Sequence, residues 1–206
     1  MKNLDLSLYL VTDNSDDVEK FLKTIEDAIK GGVSLVQIRE KTAETLDFYK
    51  LALKVKEITS KYNIPLIIND RIDIALAIDA DGVHIGQTDM PCDIARKLIG
   101  DEKILGVSAT TIAEAKKAQK DGADYIGSGA VFPTSTKDDA SSVSKKDLKD
   151  IVNSIDIPVV AIGGITIDNA HTLKDTGIAG LSVVSAIMSS KNPKESSEKL
   201  LKIFNS

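Results

Sequence analysis

Eight short apolar runs punctuate the chain at nearly even spacing, and each is followed by a stretch with helical periodicity. The runs fall at 6–11, 33–38, 65–68, 82–85, 104–107, 125–131, 158–162 and 180–184. Their near-continuous apolar character suits strands covered on both faces, as in a parallel sheet wrapped by helices. The helical stretches fall at 18–30, 46–62, 72–78, 93–99, 112–120, 145–153, 169–176 and 193–204. In the first of these, Val18, Phe21, Leu22, Ile25, Ala28 and Ile29 form a 3.6-period stripe, and Gly31-Gly32 stops it. Pro193 suits the first turn of the last helix. With 206 residues, each strand-plus-helix unit averages about 26, close to what a βαβ unit needs. Eight such units in strict alternation predict an α/β chain folded as a (β/α)8 TIM barrel, a single domain over 1–206. A doubly wound sheet fits less well, because no GxGxxG follows the first run.

Composition narrows the function classes. The net charge is −5 and no basic stripe stands out, so no nucleic-acid partner is expected. The single cysteine, Cys92, excludes an intramolecular disulfide and reads as a buried structural thiol. The first apolar run is broken by Asp5 and Ser7 and is too short to span a bilayer. No cleavable signal pattern precedes it. These features predict a cytoplasmic protein with no membrane partner. The outer helices of such a barrel leave room for a homodimer face.

In a barrel of this kind, chemistry gathers where strands end and βα loops begin. Run two ends in Gln37-Ile38-Arg39-Glu40-Lys41, run three in Asn69-Asp70, and run four in Gly86-Gln87-Thr88-Asp89. Run five ends in Ser108, and the long loop 132–143 after run six carries Thr134, Ser135, Thr136 and Lys137. Run seven ends in Gly163-Gly164 and run eight in Val184-Ser185. Two acids just past neighbouring strands, Asp70 and Asp89, can hold Mg2+, which is usually bound through one or two carboxylates plus substrate phosphates. Each acid alone also fits a helix cap or a turn. Arg39, Lys41 and Lys137 put three cations on one face, which suits a departing diphosphate. The glycines of run seven and the end of run eight fit a backbone phosphate site. Two anion sites imply two phosphorylated ligands, or one with phosphates at both ends. No Ser/His/Asp triad pattern is present. His171 reads as exposed mid-helix, and His84 as packed or lining the barrel rather than ligating.

The segments QIREK at 37–41, IIND at 67–70, GVHIGQTD at 82–89, LGVSATT at 105–111, GSGAVFPTSTK at 127–137, AIGGIT at 161–166 and SVVSAI at 182–187 together resemble the thiamine-phosphate synthase family. The resemblance covers nearly the whole chain in order. It implies a (β/α)8 barrel that joins a hydroxymethylpyrimidine diphosphate to a hydroxyethylthiazole phosphate. By the same resemblance the pyrimidine diphosphate meets Gln37, Ile38, Arg39, Glu40 and Lys41, then Asn69, Ser108 and Lys137. Mg2+ sits on Asp70 and Asp89. The thiazole phosphate meets Thr134, Ser135 and Thr136, then Gly164, Val184 and Ser185. Arg39, Lys41, Lys137 and Ser108 carry the catalytic roles, in a dissociative substitution that needs no protein nucleophile. Two other readings stand beside it. A thiazole tautomerase shares the fold but lacks the metal acids and has a His where Thr110 stands. A non-catalytic phosphate-ligand sensor would keep the barrel and lose turnover.

Overall fold

The computed structural model describes residues 4–14, 17–134 and 142–206. The strands are β1 (Leu8–Val11), β2 (Leu35–Ile38), β3 (Leu66–Asn69), β4 (Gly82–Ile85), β5 (Ile104–Ser108), β6 (Tyr125–Ser128), β7 (Val159–Ile162) and β8 (Gly180–Val183). Each pairs in parallel with the next, and β8 pairs with β1, so the sheet closes into a barrel in sequence order. The α/β TIM barrel expected from the sequence is the observed fold.

The helices form the outer layer: α1 (Val18–Lys30), α2 (Thr45–Lys61), α3 (Ile72–Ala77), α4 (Cys92–Ile99), α5 (Ile112–Lys120), α6 (Lys145–Val152), α7 (Ser185–Met188) and α8 (Pro193–Asn205). The starts of α1, α5, α6 and α8 are set by side chains that accept otherwise unpaired backbone N–H groups. Asp17 caps α1 through Lys20 N at 3.0 Å. Thr111 and Glu114 form a reciprocal capping box on α5. Of the stripe read in α1, Phe21, Ile25, Ala28 and Ile29 are buried against the barrel, Leu22 is half-buried, and Val18 in the first turn is exposed.

Alternation along the strands divides the apolar residues into two layers. Leu8, Leu10, Val36, Ile38, Leu66 and Ile68 face outward and pack beneath the helices. Tyr9, Val11, Leu35, Ile67, Tyr125 and Val160 face inward and fill the barrel. Burying one such large side chain stabilises the fold by about 1.5–3 kcal/mol.

Three details differ from the sequence expectation. The segment at 169–176 is a 3-10 helix over Ala170–Thr176 rather than an α-helix. The hydroxyls of Thr172 and Thr176 each donate to the carbonyl three residues back, which favours the tighter winding. Strand β6 stops at Ser128, short of the expected 131. The Gly129 backbone lies so near the Ile162 carbonyl that a side chain there would collide with it. Finally, Ser185 opens the four-residue helix α7, which no periodicity announced. The Cys92 thiol is buried as expected, and burial pushes its pKa up to about 11.

Candidate functional site

The C-terminal ends of the strands open onto one cavity of about 410 Å3. Every strand or the loop after it contributes wall, from Val11 at the end of β1 to Ser185 after β8. This is the end of a barrel where function collects.

One corner is acidic and cationic. Asp70, directly after β3, has φ +60, a left-handed conformation uncommon for a side chain other than Gly, Asn or Asp. Its N–H donates to the His84 carbonyl at 2.8 Å, which locks the turn. That turn sets the Asp70 carboxylate against the Lys41 ammonium, which donates to Oδ2. Asp89, after β4, accepts the Gly86 N–H on its own Oδ2 at 2.7 Å. A Cβ at position 86 would lie 3.0 Å from that oxygen, so a side chain there would press on the carboxylate. Burial, followed by hydrogen-bond contact with Asp70, pushes the Asp89 carboxyl above the usual carboxylate range. Asp89, whose charge is disfavoured, and Asp70 beside it form a donor set suited to a hard cation. Among the described residues no third acid, histidine or cysteine joins them. Arg39, half-buried, lines the same cavity, and its backbone N–H is held by the Thr12 hydroxyl at 3.1 Å. Asn69 lines the wall beside Asp70.

The opposite corner is built from backbone. Gly163 and Gly164 have φ +99 and +64, and a Cβ on Gly163 would sit 2.5 Å from that of Ala130. Only glycine turns the chain there. The Asn169 amide donates to the Gly164 carbonyl at 2.9 Å, and its oxygen accepts Thr166 N–H at 2.8 Å. Thr134, Gly164, Val184 and Ser185 all line the cavity. Ser135, Thr136 and Lys137 lie outside the described residues.

Three residues of the 37–41 segment do not line the cavity. The Ile38 side chain points outward into the layer beneath the helices, so only its backbone stands at the strand end. Glu40 is engaged by its own loop, accepting Thr42 N–H at 3.0 Å and Ala43 N–H at 3.3 Å. Gln37 points into the barrel one layer deeper, where its amide donates to the Tyr9 hydroxyl.

The cavity also holds groups outside the expected substrate and metal set. The Ser182 hydroxyl on β8 lines the wall, is buried, and has no hydrogen-bond partner among the described residues. His84 lines the floor, as one reading of it expected, with Nε2 2.9 Å from the Ser108 hydroxyl. Gln87 donates to the Ser108 carbonyl at 2.6 Å. Thr110 is tied to Glu114 through both its N–H (2.7 Å) and its hydroxyl (3.0 Å). The glycines inside β5 and β6 were the available signal for His84, since an internal strand glycine marks close approach by another group.

The thiamine monophosphate synthase family model matches residues 8–187. The chain belongs to the thiamine monophosphate synthase family. Within that family, the thiamine-phosphate synthase of Methanobrevibacter smithii is 75% identical over 204 residues, covering 99% of this chain and 98% of its own. That of Ruminiclostridium cellulolyticum is 60% identical, over 98% and 96% of the two chains. Among solved structures, the thiamine phosphate pyrophosphorylase of Pyrococcus furiosus superposes with a TM-score of 0.88 at 38% identity. That match covers 98% of this chain and 96% of the other. Membership in the family makes this chain an enzyme of thiamine biosynthesis, a transferase that forms thiamine phosphate.

Proposed function

We propose that the cavity binds 4-amino-2-methyl-5-(diphosphooxymethyl)pyrimidine and 4-methyl-5-(2-phosphoethyl)thiazole, or the carboxylated form of the thiazole, side by side. The observation that carries this reading is the pairing of an acid–cation corner with a backbone corner across one cavity. The diphosphate goes to Arg39, Lys41 and Asn69, with Lys137 assigned from its position in the sequence after β6. The thiazole phosphate goes to the Gly163-Gly164 turn, Thr134, Val184 and Ser185, with Ser135 and Thr136 assigned from sequence. Gln37 and Glu40 act behind the wall, Gln37 through Tyr9 and Glu40 by shaping the loop that presents Lys41.

With the thiazole phosphate the reaction needs one bond broken and one formed; with its carboxylated form the C–CO2 bond also breaks, CO2 leaving and the electron pair staying on the ring carbon. The methylene C–O bond breaks with its electron pair leaving on diphosphate. The thiazole nitrogen then attacks the pyrimidine methylene. Arg39, Lys41 and Lys137 neutralise the charge that gathers on the leaving group. The thiazole, fixed by its phosphate on the opposite corner, is held near the methylene. No protein nucleophile enters, in keeping with the lack of a triad.

Asp70 and Asp89 fit Mg2+, because two partly buried carboxylates with a mutual repulsion gain from a divalent ion. When bound, the ion supplies charge neutralisation to the diphosphate. Lys41 then has two roles, holding the Asp70 carboxylate and facing the leaving group. The tautomerase reading loses support at Thr110, which stands where that enzyme has its histidine and is engaged by Glu114. A cytoplasmic location belongs to the same proposal. Among the described residues no helix is long and apolar enough to cross a membrane.

The test is a coupling assay with both phosphorylated heterocycles and Mg2+ present or chelated. Thiamine phosphate formed only with Mg2+ is expected. Binding of both ligands without product would overturn the reading in favour of a sensor.

A further inference from the structure

We propose that a one-way hydrogen-bond chain through the barrel interior holds the Ser108 hydroxyl as a donor toward the cavity, with His84 as the positioning residue that acts on it. The chain is continuous. The Gln37 amide Nε2 donates to Tyr9 Oη. Tyr9 Oη lies 2.7 Å from Tyr125 Oη, which lies 3.0 Å from His84 Nδ1. His84 Nε2 lies 2.9 Å from Ser108 Oγ. Tyr9 and Tyr125 are fully buried, and Gln37 and His84 nearly so.

With the Gln37 amide nitrogen toward Tyr9, proton counting gives the direction. An amide Nε2 can only donate, so Tyr9 Oη accepts there. Burial pushes both phenols well above their ordinary range, so each keeps its single proton at neutral pH. Tyr9 gives that proton to Tyr125, and Tyr125 gives its own to His84 Nδ1. The imidazole is then neutral with its proton on Nε2, and it donates to Ser108 Oγ. The Ser108 proton is left to point into the cavity. In the reverse direction Tyr9 would accept twice and its own buried O–H would have no acceptor among the described residues.

The strands are shaped to allow this. Gly106 on β5 pairs in register with His84 on one side and Tyr125 on the other. A Cβ at Gly106 would collide with the Tyr125 ring, so glycine there makes the space in which the two side chains meet. Gly127, level with Ser108 on β6, leaves room for the imidazole, whose Cε1 would be 3.1 Å from an added Cβ. The ligand side of the inference rests on the proposed function: Ser108 serves an acceptor atom of the pyrimidine substrate and rejects a donor at that place.

Two measurements test it. The chain has two histidines, so side-chain 15N NMR reads the His84 tautomer without any substrate. The Nε2–H form is expected, becoming a mixture in Tyr125→Phe. The Nδ1–H form would overturn the proposal, because the chain would then run the other way with the Gln37 oxygen toward Tyr9. Kinetics test the action through Ser108. Ser108→Ala and His84→Asn should each lower kcat/KM for the pyrimidine diphosphate about tenfold or more, and the double variant no further. His84→Gln, which keeps an N–H donor near the Nε2 position, should stay within about threefold of the parent. Multiplying losses in the double variant would show that His84 does not act through Ser108. Complete lack of coupling activity in the parent would remove the functional reading while the tautomer still decides the chain.

Discussion

Arg96, at the N-terminal end of the barrel, commits its guanidinium to the protein's own main chain, whereas Asp70, at the other end, turns its carboxylate toward a cavity. From α4, Arg96 donates to the carbonyls of Gly100 (2.7 Å), Lys103 (2.8 Å) and Gly122 (2.9 Å) and to Asp124 Oδ2 (2.7 Å). That Asp124 oxygen also accepts the Leu105 N–H at 2.8 Å, and Asp81 does the same for Leu66 at 2.8 Å. Charge at this end ties turns to the starts of strands. At the opposite end Asp70, held by Lys41, lies against Asp89, whose carboxyl is held above its usual range by burial and by Asp70. Charge matched inside the chain contributes stability. Charge set against like charge is compensated by what binds, and its natural readout is activity.

That contrast makes the largest expected effect an activity loss without a stability loss. Asp70→Asn keeps a residue that tolerates the left-handed backbone at φ +60 and removes the charge. Mg2+-dependent coupling should fall by roughly a hundredfold or more, the scale of losing one transition-state electrostatic contact. The melting temperature should stay within about 3 °C of the parent. A steady-state assay paired with calorimetry checks both, and a large drop in melting temperature with intact turnover would break the comparison. The mirror experiment comes second. Arg96→Ala removes the guanidinium donor from three carbonyls and from Asp124, and should cost about 2–4 kcal/mol in urea unfolding. Turnover per folded molecule should hold. A catalytic defect in the folded fraction would mean that the two ends are coupled.

The two ends also differ in how far the sequence revealed them. The barrel was legible because burial on both strand faces writes itself as eight apolar runs, and the stop glycines and caps bound the helices between them. The acid–cation corner was legible because strand ends in this fold point at one place, so Arg39, Lys41, Asn69, Asp70 and Asp89 needed only their position after a run. Ile38 and Glu40 show the limit of that rule. Strand alternation turns Ile38 outward, and local N–H groups at Thr42 and Ala43 capture Glu40. The interior chain was not legible. Tyr9 and Tyr125 are 116 positions apart and meet only through the register of a closed barrel. The unpartnered Ser182 hydroxyl was equally silent, since nothing in a run reading LSVV distinguishes a hydroxyl facing a cavity from one facing a helix.

A smaller effect separates buried from facing groups chemically. Cys92 belongs to the helix layer, and burial holds its thiol up to about 11. At pH 8 the native protein should react with a thiol reagent at least about tenfold more slowly than the unfolded chain. Equal rates would place Cys92 at the surface and weaken the account of α4 packing against the barrel.

The smallest effect belongs to the outermost layer, where Glu26 links α1 to α2. Its carboxylate accepts the Tyr62 hydroxyl at 2.7 Å and lies 3.0 Å from Lys61 and 3.3 Å from Lys30. The Tyr62 hydrogen bond, then the two lysines, hold its pKa at about 2, below the ordinary 4.5. A carboxyl whose pKa is depressed by folding contributes stability that is fully present above 4.5 and is lost as pH falls through about 2. Glu26→Gln should therefore be less stable than the parent at neutral pH, with the gap closing between pH 4.5 and 2. Because the site is exposed, the gap should also shrink in high salt. A gap that persists unchanged at pH 2 would mean that Glu26 acts by packing and hydrogen bonding in its protonated form, and that charge on this outer layer has no part in joining the helices.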